Sequence, residues 1–571
     1  MTRRHKIVGL VILLALASVA TAAFIAIRFA LPAINLSTRH LSATQVQIDL
    51  LHPDARIISQ RLSSLPRDIL LQPQLKLLLT EEFAFYYDEQ SQKMALDGSF
   101  RRLAYEHQLT VQDHLLQSLL DAPATVSLWR SHDGRLGYWM LQLKTNLLTQ
   151  LITQLTKVAA SDSQLLRIGT LTIAGTDEPI YRLDYGYQHH LVFVNHNNNM
   201  LVLSDQGMLA SNKGELTPEG NPVLQTEQLT LLAQILTSGI EQQTESLRLD
   251  NSPQPPRQTI IIDAHFLSFG YQHFFPGLRA IGFDLTNDGQ WRSHVQLDNG
   301  LRSDQLDAST LWQQTPAGAA LCLALPADWI AGKQLFSEQT NEKKDWERLL
   351  DDLTGPLGVC WYPGSRLASP LFMANFKDNA AARQHQAALK SLFSSLIGAG
   401  EYIRSERFPV EENTSTSGAY WRRVVSARYG SQLASNEPFR DELSAARYFP
   451  VTLAIENERL LFSPDGRLVD QALAVSRHQY PALSEKMQRA ANTLAYARPA
   501  ELSALLEREM YAALPGQIEP LFRESARYYL QPRLKTLAGM PPLSIQTEVG
   551  QHFTLTEGSH WYPLRWQDEA Q

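Results

Sequence analysis

The chain has 571 residues, of which 44% are hydrophobic and 9% aromatic, and its formal net charge is −7. This composition is typical of a packed globular protein and excludes a largely disordered chain. Lys and Arg form no cluster after the first six residues, so the sequence lacks the electrostatic footprint of a nucleic-acid-binding protein. The length predicts about two to four domains.

An apolar segment, Ile7–Ile27, dominates the N-terminal region. Its 21 residues carry no charge, which is enough for a helix to cross the roughly 30 Å hydrocarbon core of a bilayer. Arg3, Arg4 and Lys6 precede it, so we expect a single-pass anchor in the bacterial inner membrane with the body in the periplasm. The alternative is a signal peptide cleaved after Ala20-Thr21-Ala22, although the apolar run continues beyond that site.

Two similar orders of elements follow in the body. Thr125–Arg130 and Arg135–Lys144 read as strands before a helix, as do Leu357–Tyr362 and Ala368–Phe376 before a helix capped by Asp378. We therefore predict an α+β fold: an N-terminal transmembrane helix and two similar mixed α/β domains with largely antiparallel sheets. The recurrence suggests an internal duplication. The alternative is chance agreement of a common order of elements.

Composition shifts set the expected domain boundaries. The Pro-rich stretch Asn251–Pro256 reads as a linker between the two similar units. The predicted segments are a cytoplasmic tail (1–6), an anchor (7–31), a stalk (32–47), a first domain (48–250), a linker (251–258), a second domain (259–475) and a helical C-terminal segment with a β-hairpin (476–571).

The chain contains two cysteines, Cys322 and Cys360, each in an apolar, strand-like run. In an oxidising compartment they could pair in a disulfide. The alternative is two buried thiols that pack as small hydrophobic side chains. A metal site is not expected, because neither cysteine belongs to a CxxC motif.

No recognised catalytic or cofactor motif occurs, so the sequence predicts no catalytic, cofactor-binding or metal-binding residue. Histidines cluster at His189, His190 and His196, but strand spacing would hold the last two about 20 Å apart. His107 and His114 lie seven residues apart on a predicted helix, where we expect them to edge a packed surface. Ordinary surface and packing roles are therefore the favoured interpretation.

Three Asp-Gly pairs, at Asp133, Asp288 and Asp465, are interpreted as hairpin turns, because each offers too few oxygen ligands for calcium. The clearest is Thr286-Asn287-Asp288-Gly289 between two strand-like runs. A further turn is predicted at Asn197-Asn198-Asn199, whose short polar side chains tolerate left-handed backbone angles. The aromatic run Phe83–Tyr87 is interpreted as core.

Several stretches, among them LLHPDARIISQRLSSLPRDIL and LRAIGFDLTNDGQWRSHVQL, resemble the uncharacterised YfaA-like family of bacterial envelope proteins. The resemblance runs over most of the chain. It implies no catalytic residues, because the family is a domain of unknown function. It also implies a protein partner in the periplasm, since relatives are associated with an alpha-2-macroglobulin-like system.

We therefore expect a membrane-anchored periplasmic protein that binds or scaffolds another envelope component without being an enzyme. The sequence leaves two alternatives open. One is an envelope hydrolase whose dispersed active-site residues form no motif, and the other is a lipid carrier with a closed apolar cavity. Fold alone does not decide among these functions.

Overall fold

The computed structural model describes residues 48–70, 99, 102, 121–130, 136–144, 164–185, 189–210, 223–250, 254–267, 277–298, 307–327, 329, 343–400, 409–415, 418–426, 448–487, 492–513, 520–547, 553–556 and 559–568. The predicted cytoplasmic tail (1–6), anchor (7–31) and stalk (32–47) all lie outside these residues. Among the helices in the described ranges, none combines the length and the apolar character that a bilayer span requires.

The strands are β1 Ala55–Ser59, β2 Ala124–Arg130, β3 Leu136–Lys144, β4 Leu165–Ile173, β5 Thr176–Tyr185, β6 His189–His196, β7 Asn199–Leu203, β8 Gln258–Asp263, β9 Leu278–Leu285, β10 Trp291–Asp298, β11 Leu321–Leu325, β12 Leu353–Trp361, β13 Leu371–Phe376, β14 Glu411–Ser415, β15 Gly418–Ser426, β16 Tyr448–Glu456, β17 Arg459–Ser463, β18 Thr493–Ala497, β19 Leu543–Thr547, β20 Phe553–Thr556 and β21 Ser559–Asp568.

The α-helices are α1 Leu65–Leu70, α2 Thr226–Ser246, α3 Ala264–Leu267, α4 Ser309–Gln314, α5 Lys343–Asp351, α6 Asn379–Gln384, α7 Gln386–Gly400, α8 Gly466–Ser476, α9 Pro499–Ala513 and α10 Pro520–Ala538. Helix α2 is kinked at Gly239, whose φ of 65° lies in the left-handed region that glycine adopts at no steric cost.

The strands in the described ranges all join in one 21-stranded sheet, and each neighbouring pair is antiparallel. From edge to edge the order is β4, β5, β6, β7, β3, β2, β1, β8, β9, β10, β21, β19, β18, β11, β12, β13, β17, β16, β15, β14, with β20 paired beside β21.

The predicted fold class is therefore wrong. We expected two similar mixed α/β domains with largely antiparallel sheets after a transmembrane helix, whereas the body is built mainly from one antiparallel sheet. The reason is the pairing of β10 with β21, in which Ser293–Asp298 lies opposite Ser559–Leu564 and carries the hydrogen-bond ladder across the middle. Pairing between segments this distant in sequence leaves no local signal.

The sheet has two parts with matching strand order. The first half-sheet comprises β1–β10 (Ala55–Asp298), and the second comprises β11–β21 (Leu321–Asp568). Adding ten to each label of the order β4-β5-β6-β7-β3-β2-β1-β8-β9-β10 gives the order of the second half-sheet, except that β21 replaces β20. Matched strands can therefore be compared position by position within one continuous sheet.

Several local predictions are confirmed. The turn after Leu285 closes the β9–β10 hairpin, with Gly289 at a φ of 77°. Asn197 and Asn198 adopt φ angles of 48° and 65° in the β6–β7 turn, which short polar side chains tolerate. The carboxylate of Asp378 accepts the backbone N–H of Ala381 and caps α6.

Apolar side chains fill layers on both faces of the sheet. In the first half-sheet, α2 packs on β3, β4, β6 and β7 through Leu232 and Leu236. In the second, Leu468 and Val469 of α8 pack on one face, whereas α9 contributes Leu505 to a separate core cluster. Burial of these side chains from water is the main stabilising contribution to the sheet.

The C-terminal segment contains more strand than predicted. Residues 476–538 were expected to be largely helical, yet β18 lies before α9 and pairs with both β11 and β19. The Trp-rich tail forms β21, which the sequence analysis did not predict. Both strands depend on partners far away in sequence.

Candidate functional site

The two cysteines face each other in the second half-sheet. Cys322 on β11 lies directly opposite Cys360 on β12 with their Cα atoms 4.1 Å apart, and the sulfur atoms are bonded as a disulfide. Both are fully buried in a cluster that includes Leu371 and Tyr496. Because no sulfur reaches the surface, the pair fastens two core strands and is not placed for redox catalysis.

The clustered histidines have separate partners. His196 Nδ1 lies 2.9 Å from Glu178 Oε1, and His190 accepts the backbone N–H of Gln206 at 3.2 Å. His189 stacks on Tyr185 with ring centroids 5.8 Å apart. Across the described ranges, no group of three or more His, Cys, Asp or Glu side chains could hold a metal ion.

The Asp-Gly pairs have two different roles. Asp288 lies in the β9–β10 turn, as predicted. The interpretation of Asp465 as a hairpin turn is wrong, because its carboxylate accepts the backbone N–H of Arg467 and caps α8. Asp133, His107, His114 and the run Phe83–Tyr87 lie outside the described residues.

A group that the sequence analysis missed lies in the middle of the sheet. We call it the central polar cluster, and it consists of Asp250, Thr259, Asp284, Arg292 and His294. The β8–β9–β10 register places Thr259 opposite Asp284, Asp284 opposite Arg292, and His294 opposite Gly282. Because strand side chains alternate, all of these project from one face.

The contacts within the central polar cluster are specific. The Thr259 hydroxyl donates to Asp284 Oδ1 at 2.6 Å, and Arg292 Nη1 lies 3.4 Å from Asp250 Oδ2. Asp284 and His294 are each only 3% exposed. His294 Nδ1 is buried and has no hydrogen-bond partner among the described residues.

Burial shifts both ionisable groups toward their neutral forms. Desolvation, reinforced by the charge of Asp250, raises the pKa of Asp284 from 3.8 to about 7, although the Thr259 hydroxyl, Arg292 and Arg248 act in the opposite direction. Desolvation lowers the pKa of His294 from 6.5 to about 4. Near pH 6 the cluster therefore holds a protonated carboxyl and a neutral imidazole.

Two apolar side chains, Leu249 and Trp561, cover the sheet face at Gly282, which lies opposite His294. Leu249 Cδ1 and Trp561 Cζ3 lie 2.5 Å and 3.1 Å from the position that a Cβ atom on Gly282 would occupy. Leu249 follows α2, whereas Trp561 belongs to β21 of the second half-sheet, so both halves contribute to this cover.

One signal could have revealed the cluster from the sequence. Asp284, Arg292 and His294 are ionisable residues in otherwise apolar strands, on both sides of a hairpin turn that the sequence predicts. With the turn fixed, period-two spacing assigns them to one face. The cover over Gly282 could not be predicted, because Leu249 and Trp561 come from other parts of the chain.

A second polar group lies where β1 begins and where β2 and β8 end. Arg130 Nη2 lies 3.1 Å from Asp54 Oδ1 and 2.8 Å from His265 Nδ1. Its guanidinium also lies over the Phe266 ring at 5.2 Å. These contacts neutralise and hold Arg130 in place, which is a structural role.

Comparison with known proteins decides the family. The family model described as "Uncharacterized protein conserved in bacteria (DUF2138)" matches residues 6–566. The chain belongs to the DUF2138 family. It is similar to "Uncharacterized protein YfaA" of Escherichia coli (strain K12), with 34% identity over 535 residues that cover 91% of each chain. No solved structure matches the chain.

The resemblance to the YfaA-like family is thus confirmed. The DUF2138 description names no activity, so any chemistry must be argued from the residues themselves. Within the described residues, the central polar cluster has the two most strongly perturbed Asp and His groups, and perturbed pKa values concentrate at functional sites.

Proposed function

We propose that this DUF2138 protein is a non-enzymatic binding or scaffold protein of the bacterial envelope. The observation that carries the proposal is the single antiparallel sheet, which joins two half-sheets through β10 and β21. A sheet of this extent is a rigid frame, and an exposed sheet edge can bind a partner by adding its strand.

The edge strand β14 is the surface best suited to this role. All five of its residues, Glu411–Ser415, are exposed. Among the described strands only β15 pairs with β14. Glu411 favours a partner segment that carries positive charge, whereas Glu412 already pairs with Lys390, and backbone hydrogen bonds would supply affinity.

The periplasmic side of the inner membrane is the location we propose. The uncharged run Ile7–Ile27 and the basic residues before it support attachment there. The facing cysteines Cys322 and Cys360 support an oxidising compartment, because disulfides persist there and are rare in the cytosol. An envelope protein, such as a component of an alpha-2-macroglobulin-like system, is the partner class that the family resemblance favours.

Crosslinking in intact cells, followed by capture of the full-length protein and mass spectrometry, tests the proposal. Asn413→Pro and Thr414→Pro serve as a matched pair, because neighbouring residues direct their N–H groups to opposite edges of a strand. We expect crosslinking to capture one dominant partner. Of the two proline variants, the one that removes an N–H pointing away from β15 should lose this partner. The folded Asn413→Ser control should retain it. Equal capture by all three folded variants would contradict binding at β14.

An envelope hydrolase is the second candidate, and the central polar cluster is the observation that favours it. A protonated Asp284 beside a neutral His294 can act as a general acid and base. Assays of peptide, glycan and phospholipid hydrolysis would test it. Turnover by the wild type that is lost in both folded variants, Asp284→Asn and His294→Gln, would favour the hydrolase. Absence of wild-type turnover in all three assays would favour the scaffold.

A further inference from the structure

The central polar cluster contains a buried acid and a buried base side by side. Asp284 and His294 lie on adjacent strands, project from the same face, and are almost completely excluded from water. Burial penalises the charged form of each group. For an acid this penalty applies at high pH, whereas for a base it applies at low pH.

We propose that Asp284 and His294 form a compensating pair whose opposed titrations keep the stability of the sheet centre constant across acidic pH. This inference goes beyond the proposed function and does not depend on it, because it concerns folding of the protein without a partner. It assigns a role to two buried ionisable side chains that the scaffold does not otherwise need.

The surrounding groups keep the pair from forming a simple ion pair. Asp284 accepts from Thr259 on β8, while Arg292 on β10 faces Asp250 on the segment after α2, together with Arg248. The last strand at this face, β21, places Pro563 opposite His294, with Arg565 two residues further along. Asp250 and Arg292 thus supply a separate, balanced pair of charges beside the two neutral groups.

The signs follow from linkage between protonation and folding. The pKa of Asp284 rises from 3.8 to about 7 on folding, so its stabilising contribution is complete below pH 3.8 and is lost as pH rises through 7. The pKa of His294 falls from 6.5 to about 4, so its contribution is complete above pH 6.5 and is lost as pH falls through 4. Between about pH 4 and 6.5 the two contributions change by equal and opposite amounts.

Each group alone would change the unfolding equilibrium constant about tenfold per pH unit in this interval. In the wild type these changes cancel, so the pair contributes no pH slope. Removing one member must expose the slope of the other. The two single variants therefore have slopes of opposite sign, which no general loss of packing would produce.

The experiment measures the unfolding equilibrium constant of the full-length protein in urea from pH 4 to 6.5. The wild type, Asp284→Asn, His294→Gln and the double variant are compared, and the double variant supplies the background from all other groups. Asp288→Asn is the matched control, because it makes the same Asp-to-Asn change at an exposed residue in the turn of the same hairpin.

We expect the wild type and the double variant to give parallel profiles. Relative to them, the constant should fall about tenfold per pH unit in Asp284→Asn and rise about tenfold per unit in His294→Gln as pH increases. Asp288→Asn should follow the wild type. Single variants with profiles parallel to the wild type, or slopes of the opposite signs, would overturn the proposal.

A further variant covers the case in which Asp284→Asn does not fold. Thr259→Val removes the hydroxyl that stabilises the ionised carboxylate, so it raises the pKa of Asp284 further. We expect stability in this variant to keep falling above pH 7, where the wild-type contribution of the pair is constant. A profile for Thr259→Val that is flat above pH 7 would contradict the role of Asp284.

Discussion

The two half-sheets share one strand order but differ in what they bury at matched positions. In the first half-sheet Asp284 lies opposite Thr259, and in the second Gln546 lies opposite Thr493. His294 of β10 likewise corresponds to Gln567 of β21, which lies opposite Ser544. The topology therefore accepts neutral groups at these positions, so the ionisable pair of the first half-sheet is not a requirement of the fold.

A second difference occurs at the ends of the matched hairpins β6–β7 and β16–β17. His196 lies opposite Asn199 in the first half-sheet, whereas Glu456 lies opposite Arg459 in the second. Both turns begin with an asparagine at positive φ, so the backbone is alike while the side-chain chemistry differs. Breaking these pairs measures how much each half-sheet depends on its own polar contacts.

The largest effect is expected for Arg459→Met. Arg459 is buried and pairs with Glu456 at 2.7 Å, so its removal leaves a buried carboxylate whose remaining cation is the mostly exposed Arg477, 3.4 Å away. We expect a loss of about 3–5 kcal/mol in the free energy of unfolding, measured in urea at neutral pH. Replacing both residues with Met should recover most of the loss. In the matched hairpin, His196→Gln should cost clearly less, and equal losses would contradict the comparison.

The next largest effect is expected for the buried cysteine pair. Replacing Cys322 and Cys360 with Ala should reduce the free energy of unfolding by about 2–4 kcal/mol, because the bond closes a loop between residues 38 apart. Urea unfolding of untreated, reduced and doubly substituted protein provides the measurement. Reduced wild type should match the double variant. Identical midpoints for untreated and reduced wild type would show that the bond does not form.

A smaller effect, with a defined sign, is expected when an acid is introduced into the second half-sheet. Gln546→Asp places a carboxyl at the buried position that matches Asp284. Burial should raise its pKa, so stability should be highest near pH 4 and fall by about 2 kcal/mol toward pH 7. Urea unfolding at several pH values checks this. A pH profile unchanged from the wild type would mean that the matched sites differ in solvent access.

The smallest effects are expected at the two outer edges of the sheet. Lys390 pairs with Glu412 beside β14, and Thr172 donates to Asp177 at the end of β4 at 2.7 Å. Both contacts are exposed, so Lys390→Ala and Thr172→Ala should each change the free energy of unfolding by less than about 1 kcal/mol. Larger losses in thermal or urea unfolding would indicate that an edge is covered in the folded protein.

Sequence reasoning succeeded where the signal is local. The Thr286–Gly289 turn, the asparagine turn at Asn197 and the Asp378 cap each depend on side chains within a few residues, and each is confirmed. These signals come from backbone angles and short-range hydrogen bonds. They locate elements along the chain without specifying which distant strand each one joins.

The fold class and the central polar cluster required long-range information. Nothing near Val295 indicates that β10 pairs with β21, since its partner Tyr562 lies far along the chain. The cover over the neighbouring Gly282 depends in the same way on Leu249 and Trp561, which come from other parts of the sequence. Register between distant strands, rather than secondary structure, is what the sequence did not reveal.

Continuity of the sheet across β10 and β21 is the central claim, and a pair of engineered cysteines tests it most directly. Val295 lies directly opposite Tyr562, so Val295→Cys with Tyr562→Cys should form a disulfide that mass spectrometry identifies. Val295→Cys with Asn413→Cys is the control, because β14 is the far edge strand, more than about 40 Å away at normal strand spacing. A bond in the first variant alone is the predicted result. Folded protein without that bond, or with the control bond instead, would contradict the single sheet.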